Sequence, residues 1–214
     1  MTLDIRPHGG SPTDSRVKLD GRRLRSERTR QLIIESYLDL LRESPKVPTA
    51  SRIAERAGYS VRSVFERFPD LLALSLAAAE FAFAQANAQA IVRDLDGGRQ
   101  ARLRSQVETR GNTCERWLPL WRALNINQDY SAELKTRIHA ARAMIGKRLE
   151  LMYHPELSTL PEPERRRTVI ALELLTDFES WGRMREIHGL SVEQARAVWI
   201  GAIDRLLPAT PSGP

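Results

Sequence analysis

The sequence predicts an all-α protein, and three observations carry that prediction. Apolar residues recur every three or four positions in one segment after another. Capping residues and Gly or Pro stops bracket those segments. No run alternates apolar and polar with the period of two that a half-buried strand requires. The 214 residues suffice for a sizeable core in one or two domains.

The elements follow in order. Residues 1–20 read as a disordered tail, because Pro7, Gly9, Gly10 and Pro12 come with little apolar content. Residues 48–74 carry the most specific pattern. Thr49 is placed to cap a short helix on which Ile53, Ala54 and Ala57 share a face. Gly58 ends that helix in the left-handed conformation. Ser60 caps a second short helix, with Val64, Phe65 and Phe68 inward by spacing and Val61, Arg62, Ser63, Glu66 and Arg67 outside. Pro69 stops it and Asp70 caps a third. This is the spacing of a helix-turn-helix, in which the second helix enters the major groove.

From Asp70 to about Leu95 one long helix is expected, roughly 38 Å at 1.5 Å per residue, with Leu72, Leu76, Ala79, Phe83, Ala86 and Ala90 as its apolar seam. Gly97 and Gly98 follow it. Residues 99–125 read as one broken or two short helices, interrupted by Pro119. Residues 131–153 form a clean amphipathic helix through Leu134, Ile138, Ala141, Ile145, Leu149 and Met152, closed by Pro155. The next runs from Pro161 to about His188, with Ile170, Leu174, Phe178 and Trp181 on one face and Gly189 at its end. Ser191 and Gln194 make a capping box for the last helix, which presents Ala195, Trp199, Ala202 and Leu206. Residues 208–214 read as a disordered tail.

The net charge is +6 and the isoelectric point about 10.0. The excess concentrates in residues 16–30, with seven basic residues against two acidic ones. A basic arm (Arg22, Arg23, Arg25, Arg28) beside a helix-turn-helix can follow phosphates or enter a minor groove. A single cysteine, Cys114, excludes an internal disulfide and fits a reducing compartment. No apolar stretch is expected to be long enough to span a bilayer and no signal-peptide pattern is found, so a cytoplasmic location is expected.

Ile53-Ala54, Ala57-Gly58-Tyr59-Ser60, Ser63-Val64-Phe65, Arg67-Phe68-Pro69 and Leu74 together resemble the DNA-binding domain of the tetracycline-repressor (TetR) family of transcriptional regulators. The family's usual run is I-A-x-x-A-G-V-S-x-G-T-L-Y-x-H-F-x-S-K-E-x-L, and the register holds without a gap. The helix before it, with Arg30, Ile33, Tyr37, Leu40 and Leu41, is also similar. The resemblance implies an N-terminal three-helix head over residues 21–74, joined by a long helix to a helical ligand-binding and dimerisation bundle over residues 75–207. Four positions depart from the family: Arg62 for its Gly, Phe65 for its phosphate-touching Tyr, Arg67 for its His and Leu71 for its Lys. Two backbone contacts are thereby missing, and Arg62, Arg67 and the arm are expected to compensate in part.

The resemblance implies a dimeric DNA-binding regulator, a repressor released from a palindromic operator by a small-molecule effector. Arg62 is the first candidate for a base contact, because Arg reads guanine in bidentate fashion; Ser63 and Val61 come next. Thr49, Ser60, Phe65 and Arg67 complete the expected DNA-facing set. Phe178, Trp181, Trp199 and Leu206 are the expected dimer contacts, on two C-terminal helices that pair across a short connection. Phe81, Phe83, Trp117, Trp121, Asn125 and Met144 are candidates for a ligand cavity.

An enzyme is not expected. His8, His139, His154 and His188 are scattered, with no metal-ligand spacing, and Cys114 has no nearby His to activate it. There is no Gly-rich phosphate loop, and Glu162 and Glu164 suit a helix N-terminus better than an acid–base pair. No cofactor or metal is expected. The alternative reading is a helical ligand- or protein-binding scaffold with a non-functional helix-turn-helix.

Overall fold

A computed structural model describes residues 12–44, 46–89 and 94–211; side chains are described from residue 21 onwards, apart from residues 22, 89, 127 and 130. Among the described residues ten α-helices follow one another: α1 (Pro12–Glu43), α2 (Ala50–Ala57), α3 (Val61–Arg67), α4 (Leu71–Gln89), α5 (Arg99–Asn127), α6 (Ala132–Met152), α7 (His154–Leu157), α8 (Glu162–Leu175), α9 (Phe178–Gly182) and α10 (Val192–Leu206). A 3-10 turn at Gln128–Tyr130 precedes α6, and a π-helical turn at Arg183–Ile187 follows α9. Among the described residues there is no strand.

The head is built from α1, α2, α3 and the start of α4. Ile33, Tyr37 and Leu41 from α1 meet Ile53 of α2, Val64 and Phe68 around α3, and Leu74 of α4, all buried. Outside this core Arg56 pairs with Glu43 at 2.8 Å, tying α2 to α1. The Tyr37 hydroxyl shares a 2.9 Å hydrogen bond with Ser75, whose own hydroxyl donates to the Leu71 carbonyl. This buried pair pins α4 to the head.

The body forms around α5, which contacts α1, α4, α6, α9 and α10. Trp181 and Trp199 are fully buried with ring centroids 4.9 Å apart. The Trp181 indole lies over Gly111, where a Cβ would come within 3.0 Å of the ring.

Several elements depart from the sequence expectation, each for a physical reason. Helix α1 begins at Pro12, so residues 12–20, expected as tail, carry helical backbone; residues 1–11 lie outside the described ones. Extending a helix that is already nucleated needs only propagation. The basic arm is accordingly helical rather than extended. At the other end, Arg99 donates to the Pro208 carbonyl at 2.5 Å and Thr210 to Glu156 at 2.5 Å, so residues 208–210 are tied down rather than a free tail.

Helix α4 spans 19 residues, roughly 28 Å, and does not reach Leu95, because Asp94 sits at a left-handed φ of 58°. Its most buried residues are Leu74, Ala77, Ala78, Ala79 and Ala82, while Leu72, Leu76, Phe83 and Ala86 of the expected seam are half-buried; Ala90 lies outside the described residues. Contrary to expectation, Leu71–Ala88 is long and apolar enough to cross a membrane by length and composition, and 33 % of that window is buried in the protein. Its central acid, Glu80, pairs with Arg137 of α6 at 2.6 Å.

Helix α5 is continuous through Pro119. An interior proline costs about 3 kcal/mol, but Trp117, Leu118, Leu120 and Trp121 around it are buried, and that burial outweighs the lost bond. The helix expected over 161–188 breaks instead at Thr176 and Asp177. The Thr176 carbonyl leaves the helical ladder and accepts from buried Arg110 at 2.8 Å, and Asp177 takes an extended conformation that starts α9. Upstream of the break Val169 and Leu172 face the core, whereas Ile170 and Leu174 point outward. The capping box of α10 forms in full: Ser191 accepts from the Gln194 backbone and Gln194 accepts from the Ser191 backbone.

Candidate functional site

The second helix of the helix-turn-helix is positioned by its own sequence. Gly58 takes φ 73° and closes α2, with its N–H and that of Tyr59 capping carbonyls of that helix. The Tyr59 hydroxyl lies 3.3 Å from Thr29 and ties the turn to α1. Ser60, extended, accepts from the Ser63 backbone at 3.1 Å and starts α3. Asp70 accepts from the Ala73 backbone at 2.7 Å and starts α4 just beyond Pro69. The Arg30 guanidinium packs 4.8 Å from the Phe68 ring, under α3.

On this frame α3 turns Val64 into the core and Val61, Arg62, Phe65 and Glu66 to the outside. Phe65 corrects the expectation of an inward aromatic: it is 45 % exposed. A seven-residue helix buries one narrow stripe, and Val64 and Phe68, four residues apart, occupy it. Phe65 therefore shares the outer face with Val61. The Arg62 side chain is 88 % exposed and engages Glu66 through Nε at 3.0 Å. An exposed i, i+4 pair is worth about 0.3–0.5 kcal/mol, so it yields readily to a phosphate or a base edge. Ser63 is half-buried with its hydroxyl 3.0 Å from that of Ser60. The half-buried Arg67 has an Nε without a hydrogen-bond partner among the described residues. Thr49 is exposed and caps α2 loosely, at 3.4 Å from the Arg52 nitrogen. Arg23, Arg25 and Arg28 are exposed on α1, and the Arg22 side chain lies outside the described residues. Leu71, in place of a family lysine, is half-buried against the core.

A second feature lies in the body. A cavity of about 480 Å³ opens between α4, α5, α6 and α9. Of the expected lining residues, Phe83, Trp117, Trp121 and Met144 are on its wall. Phe81 and Asn125 are not: Phe81 packs half-buried elsewhere on α4, and Asn125 donates back to the Trp121 carbonyl at 2.8 Å. The sequence reading missed the polar wall, which includes Gln106, Arg110, Arg137 and Arg148. The signal was the stripe 106, 110, 113, 117, 120, 124 along α5, which steps by three and four. Arg148 donates to Gln106 at 2.8 Å, and burial lowers its pKa from the ordinary arginine value.

The expected dimer residues are largely interior. Phe178 stacks on Trp121 at 4.7 Å, and Trp181 and Trp199 are fully buried in a single copy. With Gly111 opposite Trp181 and the other two rings packed on tryptophans, these aromatics fill a core rather than wait for a partner. Leu206 is exposed, and Ile170, Leu174 and Val198 join it as outward apolar side chains of α8 and α10.

The remaining reactive groups are dispersed. Burial pushes the Cys114 thiol up to about 12, so it stays protonated and inert. Among the described residues no three His, Cys, Asp or Glu gather as a metal site. Glu162 and Glu164 sit in the first turn of α8, where they complement its dipole.

No family model and no curated protein matches the sequence. Solved structures do match the fold. A transcriptional regulator from Rhodococcus sp. Rha1 superposes with a TM-score of 0.66 at 17 % identity, covering 85 % of this chain and 99 % of that one. A structure described as a TetR-family transcriptional regulator from Rhodococcus sp. gives 0.63 at 20 % identity, covering 84 % and 98 %. The chain thus has the fold of TetR-type regulators, from the helix-turn-helix head to the C-terminal bundle.

Proposed function

We propose, from this fold and its α3 surface, that the protein is a DNA-binding transcriptional regulator acting as a homodimer. The observation that carries the reading is the outward face of α3: a capped helix anchored from below by Val64 and Phe68, with Arg62 extended and Val61 and Phe65 bare beside it. Arg62 suits guanine O6 and N7, and Val61 and Phe65 suit the methyl group of thymine. Arg67, Thr49 and the arginines of α1 supply phosphate contacts, in place of the family's Tyr hydroxyl and Lys.

One such helix spans few bases, and a two-fold pair doubles the readout. The outward apolar residues of α8 and α10 support a homodimer: Leu174 is 69 % exposed, and Val198 lies beside Ala197, Gly201 and Ala202, small residues that allow close helix approach. The repressor role and release by an effector belong to the same proposal. The cavity wall includes α4, which Ser75 and Tyr37 join to the head, so a ligand that shifts α4 would alter the spacing of the two heads. Coupling of this kind is typically about 1–3 kcal/mol. Such a regulator works where the DNA is, in keeping with the cytoplasmic location expected above.

Binding of the purified protein to labelled duplexes, including the DNA upstream of its own gene, measured by fluorescence anisotropy across a salt series, tests this reading. Tight binding with a steep salt slope supports it. Absence of any salt-dependent binding contradicts it and selects the scaffold alternative, which Phe65 and Leu71 favour.

A further inference from the structure

We propose that the cavity takes an apolar molecule bearing a single carboxylate, with the acid held by Arg110 at the α5 wall. The inference rests on reading this cavity as the effector site, and it names the chemical class of the occupant.

The wall is apolar over most of its surface, with Trp117, Trp121, Phe83 and Leu124 among its members, and among the described residues it contains no aspartate or glutamate. The volume of about 480 Å³ falls in the range that encloses a drug-sized ligand. Its charged groups are cationic, and they are not equivalent. Arg137 is neutralised from outside by Glu80 at 2.6 Å and Glu133 at 2.8 Å. Lys147 is exposed.

Arg110 differs from these two and from Arg148, which is half-buried and donates to Gln106 at 2.8 Å. It is only 7 % exposed, and its Nε donates to the Thr176 carbonyl. Its guanidinium lies 4.6 Å from the Phe178 ring centroid. Its Nη2 is buried and has no hydrogen-bond partner among the described residues. Among the described residues no carboxylate pairs with it; a buried guanidinium left so is costly to keep, and water cannot supply the missing charge. A carboxylate can: it accepts from the part of the Arg110 guanidinium that lines the cavity, neutralises the charge, and leaves its apolar body against the tryptophans.

A cationic ligand is disfavoured by the same geometry. Guanidinium groups already sit over the aromatic rings of the wall: Arg142 over Trp121, Arg116 over Trp117 and Arg110 over Phe178. A further cation would meet like charge at each of these three rings.

The test compares three probes with the same chain length, dodecanoate, 1-dodecanol and dodecylammonium, each below its micelle concentration. Binding to the full-length protein is read by calorimetry and by the fluorescence of the cavity tryptophans. Dodecanoate is expected to bind at least about tenfold more tightly than the alcohol, with the ammonium weakest. In Arg110→Met the preference for the acid over the alcohol should fall to about onefold while alcohol binding persists. Equal or better binding of the alcohol or the ammonium to the unmodified protein overturns the inference, as does failure of all three to bind. If Arg110→Met does not fold, the acid-to-alcohol ratio of the unmodified protein decides alone. A parallel DNA-release assay separates the two readings. Dodecanoate that binds selectively without releasing DNA keeps the carboxylate site and removes the effector role. Release by acid and alcohol alike, with equal affinity, keeps the effector role and removes the carboxylate site.

Discussion

The guanidinium of Arg42, in the last turns of α1, lies 5.7 Å from the ring centroid of Trp117, whose indole forms part of the cavity wall. The head and the cavity therefore meet at one side chain. Arg42 also pairs with Asp39 at 2.6 Å on the surface of α1, so movement of the Trp117 ring acts on a side chain of α1. This is a second route from cavity to head, beside the Tyr37–Ser75 bond to α4.

A double-mutant cycle measures that contact. Arg42→Ala, Trp117→Leu and the double variant, compared by urea unfolding, should show a coupling of about 0.5–1 kcal/mol, the range of a partly exposed cation–π pair. Strict additivity would mean that the two groups do not sense each other.

Arg62 and Arg23 should fail in different ways. Arg62→Ala should cost about 1–3 kcal/mol on the preferred operator and relax selectivity at one base position. Arg23→Ala should weaken all sequences alike and flatten the salt slope. Titration over a panel of operator variants tells them apart; uniform loss for both removes Arg62 from base reading.

The proposed dimer is open to a test at the outward apolar face, without touching the core. Leu174→Glu and Val198→Glu should convert a dimer to a monomer in sedimentation velocity while the helical signal and the melting temperature of the subunit persist. Retention of the dimer by both variants would place the interface elsewhere.

Glu115 predicts an acid limb of stability. Its partial burial raises the pKa, but hydrogen bonds from Arg185 and from the Trp181 indole, at 2.6 Å, outweigh that and hold it below its ordinary value of 4.5. A carboxylate with a lowered folded pKa stabilises the fold fully above the unfolded pKa, and that contribution fades as pH falls from 4.5 through the lower folded value. Glu115→Gln keeps an acceptor for the indole but not the charge, so its stability should depend less on pH below 4.5, as read by Trp181 fluorescence during acid titration. An unchanged acid limb would assign it to other carboxylates.

Local signals in the sequence were accurate where the physics is local. The Ser60 cap, the left-handed Gly58 and the reciprocal box of Ser191 and Gln194 each involve residues at most five apart, and each forms as expected. What could not be read depends on distant partners. The break at Thr176 carries no Gly or Pro signal, because the group that satisfies its carbonyl is Arg110, 66 residues upstream. Trp181 and Trp199 have the spacing of interface residues, but Gly111, on another helix, makes room for Trp181, and Trp199 packs against that ring at 4.9 Å. Phe65 was misassigned for a different reason: seven residues make too little of a turn count to fix which face is inner. In the cavity Phe83, Trp117 and Trp121 were legible and Phe81 and Phe178 were not, nor were Arg110 and Arg148, since arginine on a helix usually signals a solvated face.

The central claim is that α3 reads DNA as one half of a two-fold pair, and selection of bound sequences from a random duplex pool tests it most directly. Enrichment of an inverted repeat, with a guanine position whose preference disappears in Arg62→Ala, is the predicted result. A pool that emerges without any enriched, symmetric sequence would contradict it.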